Sequence, residues 1–192
     1  MTKTRLEAFS DGVIAIIITI LVLELKVPRG AELAALRPLL PVFLTYVLSF
    51  VLLGIYWVNH HHLLHATTRI DGRILWANLH LLFWLSLVPF VTGWMGEHHS
   101  AAAPGAAYGA VMLAAAIAYT LLSRAIVARE GRGSRLAAAL GRDVKGKVSL
   151  AMYAAAIPLA FVSQWLSDGI FVAVALVWLV PDRRIEARLA KD

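Results

Sequence analysis

Apolar runs of about helix length, separated by short polar breaks, set the layout of the chain. The first runs from about Phe9 to Val27 and stops at Pro28-Arg29-Gly30, a strong breaker. The second starts near Leu39, where Pro38 and Pro41 suit a first helical turn. The third spans about Ile74 to Met95, the fourth is Ala-rich, and the fifth ends near Leu166 before Ser167-Asp168-Gly169. The sixth, Ile170 to Val180, is short for a full span, and either dips shallowly or borrows length from the amphipathic tail Arg183 to Leu189. One crossing of the hydrocarbon takes roughly 20 apolar residues, so the pattern predicts an all-α membrane protein of six transmembrane helices. Their expected bounds are about 4–27, 39–64, 73–95, 105–128, 147–166 and 169–189. Together they make one transmembrane domain over residues 1–192.

Composition narrows the function classes. With 60% hydrophobic and 16% charged residues, the chain cannot cover a soluble surface with charge. Any activity therefore sits inside or at the edges of the bundle. The net charge of +6 points to loops rather than to nucleic acid, because 15 of the 18 basic residues fall on one side of the membrane. Only Lys26, Arg29 and Arg37 fall on the other. The positive-inside rule then puts both termini in the cytoplasm of a multi-pass inner or plasma membrane protein. The apolar run after Lys3 and Arg5 carries Asp11 and Glu24 and shows no small-residue cleavage site, so it reads as a retained helix. Cysteine is absent, which excludes thiolate metal sites, disulfides and cysteine nucleophiles. No internal repeat is visible, so symmetry would have to come from assembly.

Polar information is densest over Arg5-Leu6-Glu7-Ala8-Phe9-Ser10-Asp11-Gly12-Val13. Ionisable residues at membrane depth default to a functional hypothesis, although Ser10 and Asp11 also fit an interfacial cap facing water. Gly12 implies close backbone approach to a neighbouring helix. Further along, Ile16, Thr19, Ile20 and Leu23 follow i, i+3, i+4, i+7 spacing and share one face. Spacing alone leaves ordinary helix packing open for that stripe, and Thr19 could bond back to its own helix.

Arg5-x-x-x-Phe9-Ser10-Asp11-Gly12-Val13, then Ala15-Ile16-x-x-Thr19 and Leu23-x-Leu25, resembles the first-helix signature of the transmembrane protein 175 family. Its members are potassium channels of animal lysosomes and of prokaryotes. The resemblance continues through Trp57-x-x-His60-His61, Trp76-x-Asn78-Leu79 and Pro89-Phe90, and beyond these it rests on the general layout. It implies a six-helix subunit, a homotetramer in the lipid bilayer, and a central pore lined by the first helix of each copy. It further implies a potassium-selective channel, leaky to other monovalent cations, with K+ as permeant ion and no cofactor. Ile16 would be the tightest ring, with Ile20 and Leu23 further along and Thr19 contributing hydroxyls. Branched apolar rings close a pore by expelling water, so the constriction would act as hydrophobic gate and filter. In agreement, the chain has no Thr-Val-Gly-Tyr-Gly sequence for a carbonyl filter.

Arg5, Phe9, Ser10, Asp11 and Gly12 read as structural support near the cytoplasmic end. Arg5, His60, His61, Trp76 and Asn78 are the candidate donors for Asp11, in a network joining the first three helices. Glu24 reads either as a cation-concentrating charge at the outer mouth, near Lys26, or as a solvated rim charge. The run Asn59-His60-His61-His62-Leu63-Leu64-His65 puts His61 and His65 four apart, a ligand spacing that His80 could extend. The second helix has no carboxylate, and no His-Glu-x-x-His or Gly-x-Ser-x-Gly motif occurs. Hydrogen bonding is therefore preferred over metal, and an enzyme is not expected. The alternatives are a proton-coupled secondary transporter or a proton-conducting channel, with Asp11 and the histidines as relay.

Overall fold

A computed structural model describes residues 2–131, 134, 137 and 143–179. Every regular element among them is helical: α1 (Lys3–Ile20), α2 (Leu40–His65), α3 (Gly72–Ser86), α4 (Val88–Glu97), α5 (Ala102–Glu130), α6 (Val144–Ala160) and α7 (Gln164–Leu179), with 3-10 turns at Leu21–Glu24 and Leu33–Leu39. Because α3 and α4 form one bent rod, the described residues make six helical segments. Four of them, Lys3–Glu24, Leu33–His65, Gly72–Glu97 and Ala102–Glu130, are long and apolar enough to cross a membrane by length and composition, and Gln164–Leu179 is a shorter apolar helix.

Local chemistry explains where the elements begin and break. Thr2 accepts the Arg5 N–H at the start of α1, and Asp71 accepts the Ile74 N–H at the start of α3. The first segment is α-helical only to Ile20 and tightens into a 3-10 turn before the backbone extends at Leu25. Pro89 carries no N–H to continue the helical ladder, and the third segment bends just before it, at Leu87. After Pro158, α6 ends at Ala160, and α7 already begins at Gln164, so Ser167-Asp168-Gly169 is helical rather than a turn. Gly131 ends α5 at φ 96°, a conformation open to glycine at little cost.

α5 is the axis of the bundle. It packs against α3 and α4 on one side and α6 and α7 on the other. Its Ala- and Gly-rich surface lets backbones approach: Gly109 faces Ile157 and Phe171, and Ala115, Ala118 and Ala156 are fully buried. Lipid is as apolar as leucine, so this close packing, rather than burial from water, holds such helices together. A buried hydroxyl cluster adds to it. Thr92 donates to Ser49 Oγ at 2.8 Å, and Ser49 lies 3.0 Å from the Tyr108 hydroxyl, joining α4, α2 and α5.

α1 lies to one side, packed on α2, α3 and α4. At one end, Lys3 donates to the His65 carbonyl at 2.6 Å, and the Glu130 carboxylate accepts from the Thr68 N–H at 2.7 Å, from the Thr68 hydroxyl at 2.9 Å and from the Arg69 N–H at 3.2 Å. Arg129 approaches Asp71 to 3.8 Å there. At the other end, Lys26 pairs with Glu97 at 2.5 Å. Arg132, Arg135, Arg142, Arg183, Arg184, Arg188 and Lys191, and the sixth segment beyond Leu179, lie outside the described residues.

Candidate functional site

α1 has two faces of different character. Leu6, Ser10, Ile14 and Ile17 are buried, with Leu21 continuing the same side into the 3-10 turn. Opposite them, Phe9, Ile16, Ile20 and Leu23 are exposed by 48%, 59%, 39% and 76%, and Arg5, Gly12 and Thr19 are exposed too. The four residues of the predicted stripe thus all lie on the open side of the subunit. The Thr19 hydroxyl donates to the Ile16 carbonyl at 2.9 Å, which leaves its oxygen lone pairs pointing away from the helix.

The inner face is pinned by buried polar bonds. Asn78 donates through Nδ2 to Ser10 Oγ at 2.9 Å, and its Oδ1 lies 2.7 Å from His60 Nε2. An amide oxygen only accepts, so Nε2 carries the imidazole proton. Ser10, His60 and Asn78 are at most 1% exposed, and an unmet polar group at such a position is costly. Three helices are locked in register by two bonds.

Asp11 takes a partner not on the expected list. Its Oδ1 accepts from the Trp57 indole Nε1 at 3.0 Å, not from Arg5, His60, His61, Trp76 or Asn78. The signal was available, because indole is a donor only and Trp57 precedes His60 by less than one helical turn. Arg5 is exposed. Trp76 is 76% exposed and lies outside the network. His61 is exposed, stacks on His65 at 6.0 Å and lies 6.2 Å from the Trp57 ring. Gly12 meets nothing within 4 Å of where a Cβ would stand, so the close helix approach expected there does not occur within the subunit.

Glu24 sits against α4 rather than against Lys26. Its carboxyl fills the notch at Gly93 on α4, while Lys26 pairs with Glu97 instead. It borders a groove between α1 and the α3–α4 bend, lined by Val13, Ile16, Ile20, Ser86 and Phe90. Among the described residues no group of three or more His, Asp or Glu side chains is placed to hold a metal ion. His80 accepts from the Trp84 indole at 2.9 Å, which occupies the nitrogen it would offer as a ligand.

Comparison with known proteins follows the same outline. The model of the endosomal/lysosomal potassium channel TMEM175 family matches residues 5–89, from α1 to the bend before α4. A potassium channel of Chryseobacterium sp. (strain P1-3) is 52% identical over the whole of both chains. One from Chamaesiphon minutus is 33% identical over 90% of this chain and 91% of its own. The human endosomal/lysosomal proton channel TMEM175 is 40% identical over 89 residues, 38% of this chain and 18% of that one. The crystal structure of the lysosomal potassium-selective channel TMEM175 homolog from Chamaesiphon minutus superposes with a TM-score of 0.81 at 32% identity, covering 93% of this chain and 96% of that one. With full-length identity, shared architecture and a first-helix motif all in agreement, the chain belongs to the TMEM175 family of membrane ion channels.

Proposed function

We propose that this chain is the subunit of a homotetrameric, potassium-selective channel, leaky to other monovalent cations, whose pore is lined by α1. The observation that carries the reading is the split of α1: one face is fixed to α2 and α3 by Ser10, Asp11, His60, Asn78 and Trp57, while Ile16, Thr19, Ile20 and Leu23 remain on the open side. Four-fold symmetry turns each open residue into a ring of four. Rings of Ile16, Ile20 and Leu23 expel water when narrow, and a bare cation does not cross a dry apolar segment. This makes the constriction the gate. When it opens, the Thr19 oxygens face a partly dehydrated ion. K+ releases water more readily than Na+, and a narrow, weakly polar passage favours it.

The excess of basic residues at the end carrying Lys3, Arg69 and Arg129 supports a cytoplasmic position for that end and for both termini, in a plasma or inner membrane. Glu24 borders the groove beside the stripe at the opposite end, where its charge raises the local cation concentration. The names of the bacterial relatives support K+ as the permeant ion.

A bi-ionic reversal potential with purified protein in a planar bilayer tests the reading. K+ against Na+ should give discrete single-channel steps and a reversal potential displaced in favour of K+. Equal permeability, or slow saturable flux without steps, would remove it, the latter in favour of a proton-coupled secondary transporter. Vertebrate relatives named as proton channels match 38% of this chain, so proton conduction is the second reading. A reversal potential that follows the pH gradient at fixed K+ would establish it.

A further inference from the structure

Away from α1, the half of the subunit at the Lys3 end carries a partly open cavity of about 50 Å³ among α2, α5, α6 and α7. That is room for roughly three to five waters at 10–15 Å³ each. Four aromatic rings wall it: Tyr56, Tyr119, Tyr153 and Trp178. Hydrogen bonds hold two of these rings, Tyr119 to the Asn59 carbonyl at 3.2 Å and Trp178 to Ser149 Oγ at 2.8 Å. The walls are preformed.

Two acceptor oxygens are left at the cavity. Asn59 donates one amide N–H to the Ile55 carbonyl at 2.7 Å, which leaves its oxygen and a second N–H. Asp143 caps α6 with Oδ1 on the Gly146 N–H at 3.1 Å, which leaves Oδ2. Asp143 stands at φ 40°, ψ 53°, an uncommon conformation for a residue other than glycine. Such outliers concentrate at ligand-holding positions. The field of the rings favours cations as well, for the chain's own Lys145 ammonium sits 5.9 Å from the Trp178 ring centre.

We infer that this cavity binds a small organic ammonium ion, its alkyl body against Tyr56, Tyr153 and Trp178 and its charged head toward Asn59 and Asp143. Aromatic walls attract a cation through the negative faces of their rings, and a carboxylate oxygen completes a charge-assisted hydrogen bond to an N–H of the head. The site lies wholly within one subunit, so it is separate from the proposed pore.

Titration calorimetry of the full-length protein in detergent with n-butylammonium tests the assignment, with n-butanol as the neutral probe of the same shape. The ammonium should bind saturably and the alcohol should not. Asp143→Asn keeps a good helix cap and tolerates the left-handed backbone, so it should fold and bind roughly ten-fold more weakly, about the worth of one charge-assisted hydrogen bond. Ala116→Met, which fills the cavity, should abolish binding, whereas Thr19→Ala on the pore stripe should leave it unchanged. Equal binding of butanol, full affinity in the Asp143 variant, loss of binding in Thr19→Ala, or no binding by the unaltered protein would each overturn the proposal.

Discussion

The Trp57 indole Nε1 donates to Asp11 Oδ1 at 3.0 Å, tying the second helix to the first one residue beyond the buried Ser10–Asn78 bond. A hydrogen bond to an ionised group contributes about 1.5–3 kcal/mol net. Trp57→Phe should therefore lower the melting temperature of the detergent-solubilised protein by several degrees, at roughly 2–4 °C per kcal/mol for a chain of this size. Asp11→Asn retains an acceptor oxygen and should cost less. Because both changes act on one bond, the double variant should fall short of the sum of the two single variants. Additive losses would show that the pair does not act together.

Asn78 stands at the centre of the buried network and is 0% exposed. Asn78→Ala removes the partner of both Ser10 and His60 and leaves them orphaned, at about 1–3 kcal/mol each. The expected result is loss of the assembled species on size-exclusion chromatography, or a large fall in melting temperature, before any change of selectivity. A fully assembled, unshifted Asn78→Ala protein would contradict the register-locking role.

A Cβ at Gly93 would displace the Glu24 carboxyl, the far end of a flexible side chain that can swing aside, so Gly93→Ala should destabilise by about 1 kcal/mol at most, the low end of overpacking. Glu24→Ala empties the notch. The double variant should be more stable than Gly93→Ala alone, by thermal melting. If Glu24→Ala gives no rescue, the clash lies elsewhere.

On the pore stripe, Ile16→Ala should widen the constriction, raise conductance and relax selectivity. Thr19→Ala should lower K+ over Na+ preference with little effect on folding, because its hydroxyl bonds only to its own helix. Single-channel recordings under bi-ionic conditions read both effects. Unchanged conductance and selectivity in both variants would count against this stripe.

Much of this was legible in the sequence because membrane helices announce themselves by length and apolarity. The motif residues Ser10, His60 and Asn78 could be placed together because a buried polar group needs a partner. What the sequence left open was the choice among several possible donors. Asp11 had five plausible partners by residue type, and only the rotation of α2 selects Trp57. The same limit hid Glu130, whose grip on Thr68 and Arg69 joins loops about sixty positions apart. The seat of the Glu24 side chain was hidden too, because sequence does not show that Gly93 opens a notch opposite it. The break after Ala160 was misplaced because Ser-Asp-Gly reads as a turn, whereas in the folded chain Ser167 is helical and buried, its hydroxyl donating to the Ala156 carbonyl at 3.0 Å.

The chain contains no cysteine, so single cysteines can be introduced on an unreactive background. Leu23→Cys on the open face of α1 should be modified by a cationic methanethiosulfonate reagent, and modification should block the K+ current. Trp165→Cys, at an exposed position on α7, should leave current unaffected by the reagent. Block at Leu23→Cys without block at Trp165→Cys is the result expected of a pore lined by the first helix. Full current through a Leu23→Cys protein shown by mass to be modified would contradict it.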